Sequence, residues 1–151
     1  MNTDSNLYKL LQKNEDVSNL HEIEEKTIEE ISYFDFGFDF ANMKFLGTQV
    51  TNPLFTLNKL TLVFVYNLKK ETTRATIFDA LNDYNGERPL TKATLSNYKG
   101  KKIKITFSSE FISDDQAINN RLIEPLINIM APCAIDFVNF LERKKIAIIR
   151  N

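Results

Sequence analysis

The stretch that decides the fold runs from Thr73 to Leu141 and opens with Ala75-Thr-Ile-Phe-Asp-Ala-Leu-Asn-Asp-Tyr-Asn-Gly86. Thr72 and Thr73 can cap a helix here, because a threonine hydroxyl accepts a hydrogen bond from an N–H group of the first turn. Apolar residues at helical spacing predict its buried face: Ile77, Ala80, Leu81 and Tyr84. We expect Gly86 to end this helix in a left-handed conformation.

Two short alternating strands follow this helix. They are predicted over residues 90–97 and 101–107, around the turn Tyr98-Lys99-Gly100. Their core-facing residues are Thr91, Ala93 and Leu95 on the first strand and Ile103, Ile105 and Phe107 on the second. The residues expected to point outward are Lys92, Lys102 and Lys104.

The last predicted helix covers residues 118–141, where apolar residues again recur at helical spacing. Ser113 and Asp114 can cap its start. Pro125 and Pro132 each remove a backbone hydrogen bond, so we expect the helix to kink or to restart at them.

Upstream, the clearest period-two pattern predicts a strand with four rings on one face: Phe34, Phe36, Phe38 and Phe40. After a turn at Ala41-Asn42, a second strand is predicted over residues 43–50. A third strand is predicted over residues 55–68. Its alternation changes phase at Asn58-Lys59, where we expect a bulge.

Two helices are predicted before these strands. A short leading helix has three leucines at helical spacing: Leu7, Leu10 and Leu11. A second helix over residues 19–31 carries five glutamates on its polar face: Glu22, Glu24, Glu25, Glu29 and Glu30. The predicted fold class is α+β, with an antiparallel five-stranded sheet in the order α-β-β-β-α-β-β-α after the leading helix. Residues 1–18 then form a short N-terminal helical extension, and residues 19–151 form a single domain.

The composition is ordinary for a globular protein, with 151 residues of which 43% are hydrophobic. Cys133 is the only cysteine, so an intrachain disulfide is impossible and a reducing compartment fits best. The N-terminal residues lack the basic and apolar segments of a signal peptide, and no apolar run is long enough to cross a bilayer. We therefore expect a cytoplasmic protein that does not bind membranes.

The side chains offer few groups for catalysis. His21 is the only histidine, so a two-histidine metal site is impossible, and its predicted place in the acidic helix is an exposed one. Cys133 lies among apolar residues, which makes its thiol unreactive. Asp35 and Asp39 share a strand face, where they are better suited to solubilise an edge strand than to act as an acid and base. We expect no enzyme, no catalytic residue, no metal, no cofactor and no small-molecule substrate.

Lysines on the predicted hairpin make the best case for nucleic-acid binding: Lys92, Lys99, Lys101, Lys102 and Lys104. Tyr98 at the turn could stack on a base. However, no aromatic residue shares the outward face with Lys102 and Lys104, and the net charge of the chain is −1. A solvated face fits better, with an acidic protein partner as the next alternative, so we expect no nucleic acid.

From residue 75 onward the chain resembles the YbjN family, whose fold is shared with type III secretion chaperones. The residues that carry the resemblance are Leu81-Asn82-Asp83-Tyr84-Asn85, Arg88, strands at 90–95 and 103–107, and a long helix from Asp114 with Phe137 and Phe140 near its end. The resemblance implies a YbjN-like α+β domain over residues 19–151 with no enzymatic role. YbjN-like proteins are associated with bacterial stress and sensory regulation, and the related chaperones are dimers that bind extended segments of other proteins.

The third predicted strand is apolar on both of its faces, which suggests a contact with another protein. Leu60, Leu62, Phe64 and Tyr66 point one way, whereas Val63 and Val65 point the other. Because a solvated strand face normally carries polar residues, something should cover Val63 and Val65. That cover is either helices of this chain or a partner, for which Lys102 and Lys104 could form a polar rim.

Three functions are left open by these observations. The first is a non-enzymatic protein-binding module, chaperone-like or regulatory, whose partner is another protein or a second copy in a homodimer. The alternative is an immunity protein that neutralises a toxin, with the acidic helix over residues 19–31 mimicking phosphate before a basic nuclease cleft. A small enzyme that uses carboxylates alone is the second alternative, and it would require a deep pocket with two convergent carboxylates.

Overall fold

The computed structural model describes residues 6–113 and 120–150. Within these ranges the protein is an α+β protein with four helices and a six-stranded antiparallel sheet in the order β1-β2-β3-β4-β6-β5. The elements are α1 (Asn6–Gln12), β1 (Val17–Ile28), β2 (Ile31–Phe40), β3 (Met43–Thr51), β4 (Thr56–Asn67), α2 (Arg74–Glu87), β5 (Lys92–Lys99), β6 (Lys102–Ser113), α3 (Asn120–Met130) and α4 (Cys133–Arg143). The α+β class is confirmed, but the expected five strands are six.

The chain separates into two compact units. Unit 1 consists of Met1–Leu62 and Ser109–Ala131, and unit 2 consists of Val63–Ser108 and Pro132–Asn151. The strands β4 and β6 therefore each begin in one unit and end in the other. The division into an extension over residues 1–18 and a domain over residues 19–151 stays a prediction.

The core of unit 1 is a row of phenylalanine rings on one face of β2 and β3. Phe38 pairs with Phe45, which places both rings on the same face, stacked with their centroids 5.0 Å apart. Tyr8 of α1 meets the rings of Phe34 and Phe36 edge-on, each at 5.5 Å. The period-two prediction for β2 is confirmed, and so is the leading helix.

The additional strand is β1, which occupies the residues predicted to form an acidic helix. It pairs with β2 along its length, from Val17 opposite Phe40 to Ile28 opposite Ile31. Ten of its twelve residues are exposed, so the strand has no buried face to give the sequence a period of two. Most of the apolar residues that suggested a helix are themselves exposed, with Ile23 54% exposed. The prediction of a helix over residues 19–31 is therefore wrong.

The bulge expected at Asn58-Lys59 is also absent from the pairing of β3 with β4. The register runs without interruption from Thr51 opposite Thr56 to Phe45 opposite Leu62. Asn58 sits on the buried face, where its side chain accepts from Gln49 Nε2 at 2.7 Å and donates to Ser113 Oγ at 2.7 Å. A polar residue on the core face interrupts the apolar alternation of the sequence, which suggested a change of phase. Asn58 can be buried there because its hydrogen bonds replace those that it would make with water.

The first helix of unit 2, α2, forms as the sequence predicts. The Thr73 hydroxyl accepts from the Thr76 N–H at 3.2 Å, which makes Thr73 the N-cap. The four predicted core residues are the four buried ones: Ile77, Ala80, Leu81 and Tyr84. The Tyr84 ring packs edge-on against Phe137 at 5.1 Å and against Phe140 at 5.3 Å.

The predicted stop at Gly86 is wrong. The helix α2 continues through Gly86 to Glu87 and is capped by Arg88, whose N–H donates to the Asn85 carbonyl oxygen. The glycine with a positive φ in the described chain is Gly100, at 62°, in the turn between β5 and β6. The hairpin prediction therefore holds, but β5 ends at Lys99, two residues later than expected, and the turn lies at Gly100-Lys101.

The long helix predicted over residues 118–141 is two helices. Pro125 is accommodated inside α3, whereas a new helix, α4, starts after Pro132. The Pro132 carbonyl oxygen accepts from the Asp136 N–H at 3.0 Å. Ser113 is the last residue of β6, and Asp114 lies outside the described residues. Beyond α4, Ile148 forms a bridge with Leu68.

In the described parts of the chain, no single helix has the length and apolar character needed to cross a membrane. The pair Leu122–Met130 and Cys133–Arg143 reaches that length and composition only when the two helices are taken together across the break between them.

Candidate functional site

The two valines singled out by the sequence lie on the outward face of the sheet in unit 2. We call this surface the open face and define it by Val63, Val65, Thr94, Thr106, Lys102 and Lys104. Val63 is 37% exposed and Val65 is 50% exposed, whereas Tyr66, the next residue along β4, is buried. Within residues 6–113 and 120–150, the chain's own helices therefore do not cover the valines.

The lysines predicted as a rim share this outward side. Lys102 and Lys104 are exposed and alternate with the buried Ile103 and Ile105 along β6. The Leu68 N–H donates to the Lys101 carbonyl oxygen at 2.6 Å, which fixes how the end of β4 meets the start of β6. An antiparallel ladder continued from that bond places Val65 level with Lys104. The structure thus brings all four predicted contact residues onto one face.

Hydroxyl groups fill the rest of the open face. Thr94 pairs with Thr106 across β5 and β6, and the Thr94 hydroxyl donates to the Thr106 carbonyl oxygen at 3.4 Å. The Thr106 hydroxyl is also hydrogen-bonded to that of Ser96. The surface therefore combines two exposed valines, hydroxyl groups that are already hydrogen-bonded, and exposed lysines. Such a surface suits a partner with apolar and acidic residues.

Tyr98, the candidate for base stacking, is engaged elsewhere. It pairs with Ile103, on the inward side of β6, and its hydroxyl donates to the Thr72 carbonyl oxygen at 2.6 Å. The Arg74 guanidinium lies 5.4 Å from the centre of its ring. Tyr98 is therefore held against the start of α2 and does not join the lysines of the open face.

The surroundings of the residues considered for catalysis indicate a structural role. His21 lies in β1 and not in a helix, with its Nδ1 atom 2.7 Å from the Asn19 carbonyl oxygen. Cys133 is buried at the start of α4, and this burial raises the pKa of its thiol. A thiol held protonated is a poor nucleophile. In the described chain, no three histidine, cysteine, aspartate or glutamate residues are grouped so that they could hold a metal ion.

A polar cavity of about 400 Å³ opens in unit 1, and the sequence did not predict it. Its lining residues are Asp16, Ser18, Asn19, Asp39, Phe40, Ala41, Asn42 and Lys44. The turn at Ala41-Asn42, which the sequence did predict, borders it with φ angles of 51° and 61°. The cavity combines two carboxylates, so it is where a carboxylate enzyme would have to be sought.

Asp39 in this cavity is held as an anion. Asn19 Nδ2 donates to its carboxylate at 2.5 Å, and this hydrogen bond is the largest cause of a lowered pKa at Asp39. Lys44 Nζ lies 3.5 Å from the same carboxylate. An acid–base pair requires one carboxyl group that stays protonated, and these contacts make Asp39 unsuited to that role. Asp39 ties the β1 bulge to the start of β3.

A second cluster that the sequence did not predict joins α2 to α4 within unit 2. Arg88 stacks over the Tyr84 ring at 4.1 Å, and its Nε donates to Asp136 Oδ2 at 2.7 Å. The signal available in the sequence was the basic residue after the motif that ends at Asn85. The cluster holds two helices together and is a structural feature.

The chain matches no protein-family model, no curated protein and no solved structure. The resemblance to the YbjN family therefore stays an expectation that depends on the residues of the chain itself.

Proposed function

We propose that this chain is a non-enzymatic protein-binding module, a chaperone-like or regulatory adaptor that acts in the cytoplasm. The observation that carries the proposal is the exposure of Val63 and Val65 on a strand whose other face is core. The module works by burying these valines against a protein partner, with Lys102 and Lys104 at the rim. The resemblance to YbjN and to the type III secretion chaperone fold supports the same function.

The charge of the open face favours an acidic partner over a second copy. Lys99 pairs directly with Lys102, and Lys104 follows on the same side of β6. A homodimer formed through this face would bring the lysines of both copies together, which costs free energy unless they are offset. An acidic protein segment with apolar residues gains from both the valines and the lysines. The homodimer is the second occupant to be tested.

The test replaces the apolar part of the open face by charge. The double variant Val63→Asp/Val65→Asp should remain folded by circular dichroism, because both side chains are exposed. It should no longer capture the proteins that the unchanged chain captures from its host. If the partner is a second copy, light scattering should show that the dimer is lost. The control is Ile135→Asp, which adds an acid at a more exposed apolar residue of α4 and should keep the partner. Capture by the double variant equal to that by the control would refute the proposal.

The alternative, a toxin immunity protein, keeps one observation in its favour. The glutamates expected on a helix lie instead on the β1–β2 hairpin, and Glu22, Glu24, Glu29 and Glu30 are exposed there. An exposed acidic hairpin can enter a basic cleft as well as a helix can. Reversing the charge of Glu24 and Glu29 should then release a basic toxin, and the Val63→Asp/Val65→Asp variant should still bind it.

A further inference from the structure

Among the strands of the described residues, β1 lies at one end of the sheet order, where it pairs with β2 alone. In an antiparallel ladder every second residue turns its N–H and C=O groups away from the neighbouring strand. At an edge these groups form a template on which another extended chain can add. The twelve residues of β1 make it as long as any strand of this sheet.

At the opposite edge of the sheet, a side chain already occupies the outward backbone groups of one residue of β5. There, the Asn85 side chain donates to the Ala93 carbonyl oxygen at 2.9 Å and accepts from the Ala93 N–H at 2.7 Å. Lys92 and Lys99 add charge at the two ends of β5. Among the described residues, the Thr27 side chain is hydrogen-bonded to Ser32 of β2 and so does not close the outer edge of β1 in this way.

One part of β1 is regular enough to accept a strand. The two irregularities in its pairing fall between Ser18 and His21 and between Glu22 and Glu24, and the register is continuous from Glu24 to Ile28. Ile28 and Ile31 close the hairpin across a two-residue turn, so they form a hydrogen-bonded pair. Thr27 then turns its N–H outward, and its hydroxyl lies 3.3 Å from that of Ser32 as expected for a pair without backbone bonds.

The side chains on this edge indicate what kind of strand it accepts. Glu24, Glu29 and Glu30 are exposed, and Ile23 and Ile28 are 54% and 56% exposed beside them. A second copy of β1 would set glutamate against glutamate, and like charges directly opposite each other destabilise a strand pair. A segment that alternates basic with apolar residues would complement both features.

We propose that residues Glu24–Ile28 of β1 accept an extended, basic segment of another protein as an additional strand of the sheet. This interface is separate from the open face: it lies in unit 1, it uses backbone hydrogen bonds, and it selects positive charge. The Val63→Asp/Val65→Asp variant should therefore bind a basic segment as the unchanged chain does. Failure of one proposal leaves the other standing.

The probe is a short synthetic peptide in which lysine alternates with isoleucine and threonine, followed by fluorescence anisotropy on the full chain. The matched control peptide carries glutamate at each lysine. We expect the lysine peptide to bind at low ionic strength, to weaken as salt is added, and to slow hydrogen exchange at the amide of Thr27. No binding by the lysine peptide, or equal binding by both peptides, would overturn the proposal.

Two variants of one residue test the backbone. Thr27→Pro removes the outward N–H and should weaken peptide binding about fivefold, since one hydrogen bond contributes about 1 kcal/mol. Thr27→Val keeps that N–H and the β-branched shape, so it should bind as the unchanged chain does. Equal affinities for these two variants would show that the peptide binds by charge alone and would refute strand addition.

Charge variants keep the test decisive if Thr27→Pro disturbs the hairpin. Glu24→Lys should weaken peptide binding about two- to fivefold, and Lys26→Glu should strengthen it by a similar factor, as expected for cross-strand charge pairs. The same sign for both variants would contradict the proposed register. A concentration-dependent dimer that Thr27→Pro dissolves would identify a second copy as the occupant and would overturn the basic segment.

Discussion

The side-chain amide of Asn85 forms two hydrogen bonds with the backbone of Ala93, one to its carbonyl oxygen at 2.9 Å and one from its N–H at 2.7 Å. An amide side chain thus takes the place of a neighbouring strand at the edge of β5. Since Asn85 ends the motif on which the family resemblance depends, the structure gives that residue a physical role. Asn85 joins α2 to the sheet and closes an edge that could otherwise pair with another chain.

We expect Asn85→Ala to destabilise the protein by about 1–3 kcal/mol, because it leaves a part-buried N–H and C=O without partners. Urea denaturation followed by circular dichroism measures this change. Asn82→Ala is the matched control, since Asn82 lies on the exposed side of the same helix. The control should be neutral or slightly stabilising, because alanine has the higher helix propensity. Equal destabilisation by both variants would show that the Asn85 bonds contribute nothing to stability.

Two glycines should respond to alanine with opposite signs. A Cβ atom at Gly47 would overlap the Phe36 ring, which lies across β3 in the core of unit 1. We expect Gly47→Ala to cost about 1–3 kcal/mol, as overpacking does. No atom of the described residues lies within 4 Å of a Cβ atom at Gly86, which is helical, so Gly86→Ala should stabilise by about 0.5–1 kcal/mol. Differential scanning calorimetry should show a lower Tm for the first variant and a higher Tm for the second.

A loss of stability in Gly86→Ala would mean that this residue does adopt the left-handed conformation that the sequence suggested. A neutral Gly47→Ala would mean that Phe36 can move away from β3 at little cost.

The success and failure of the sequence-based prediction follow from where each element buries its side chains. The helix α2 buries one face and exposes the other, so its core residues and its cap at Thr73 could be predicted. The alternation of β2 has the same cause, with the Phe36 and Phe38 rings in the core and Asp35 half-buried on the other face. In both elements, the order of apolar and polar residues in the sequence matches the pattern of burial.

Elsewhere the pattern depended on contacts that a single sequence does not show. The strand β1 is exposed almost throughout, so only its pairing with β2 makes it a strand. Asn58 is polar in the core because Ser113 and Gln49 satisfy its amide, and these partners are distant in sequence. Of the candidate site, Val63 and Val65 could be predicted from alternation, but the polar cavity around Asp39 depends on a bulge and a turn that meet only in three dimensions.

The Arg88–Asp136 contact should be worth more than a surface ion pair. Arg88 stacks on Tyr84 and is largely shielded, with 22% of its side chain exposed. A double-mutant cycle of Arg88→Met and Asp136→Asn should give a coupling energy of about 1 kcal/mol. The control cycle is Lys144→Met and Asp83→Asn, a pair 2.6 Å apart that joins α2 to the C-cap residue of α4 and is more exposed. It should give a coupling near zero, because solvent screens it. Equal coupling in the two cycles would contradict the role of stacking and burial.

Two buried tyrosines should make the protein sensitive to alkali. Tyr84 is fully buried and Tyr66 is 7% exposed, and burial raises the pKa of both phenols well above the usual value. The Tyr66 hydroxyl also donates to the Ala134 carbonyl oxygen at 3.0 Å, which requires the protonated form. A raised pKa in the folded state gives stability that is fully present below the unfolded value of about 10 and that is lost as the pH rises beyond it.

We therefore expect the free energy of unfolding to fall steadily above a pH of about 10, with Tyr66 and Tyr84 ionising only when the chain unfolds. The ultraviolet absorbance of tyrosinate measures this directly. Tyr66→Phe should leave the absorbance change before unfolding at the level of the unchanged chain, because Tyr66 contributes nothing to it. It should also lessen the loss of stability with pH, since one of the two linked groups is gone. A smaller absorbance change before unfolding in Tyr66→Phe would show that water reaches this phenol in the folded protein.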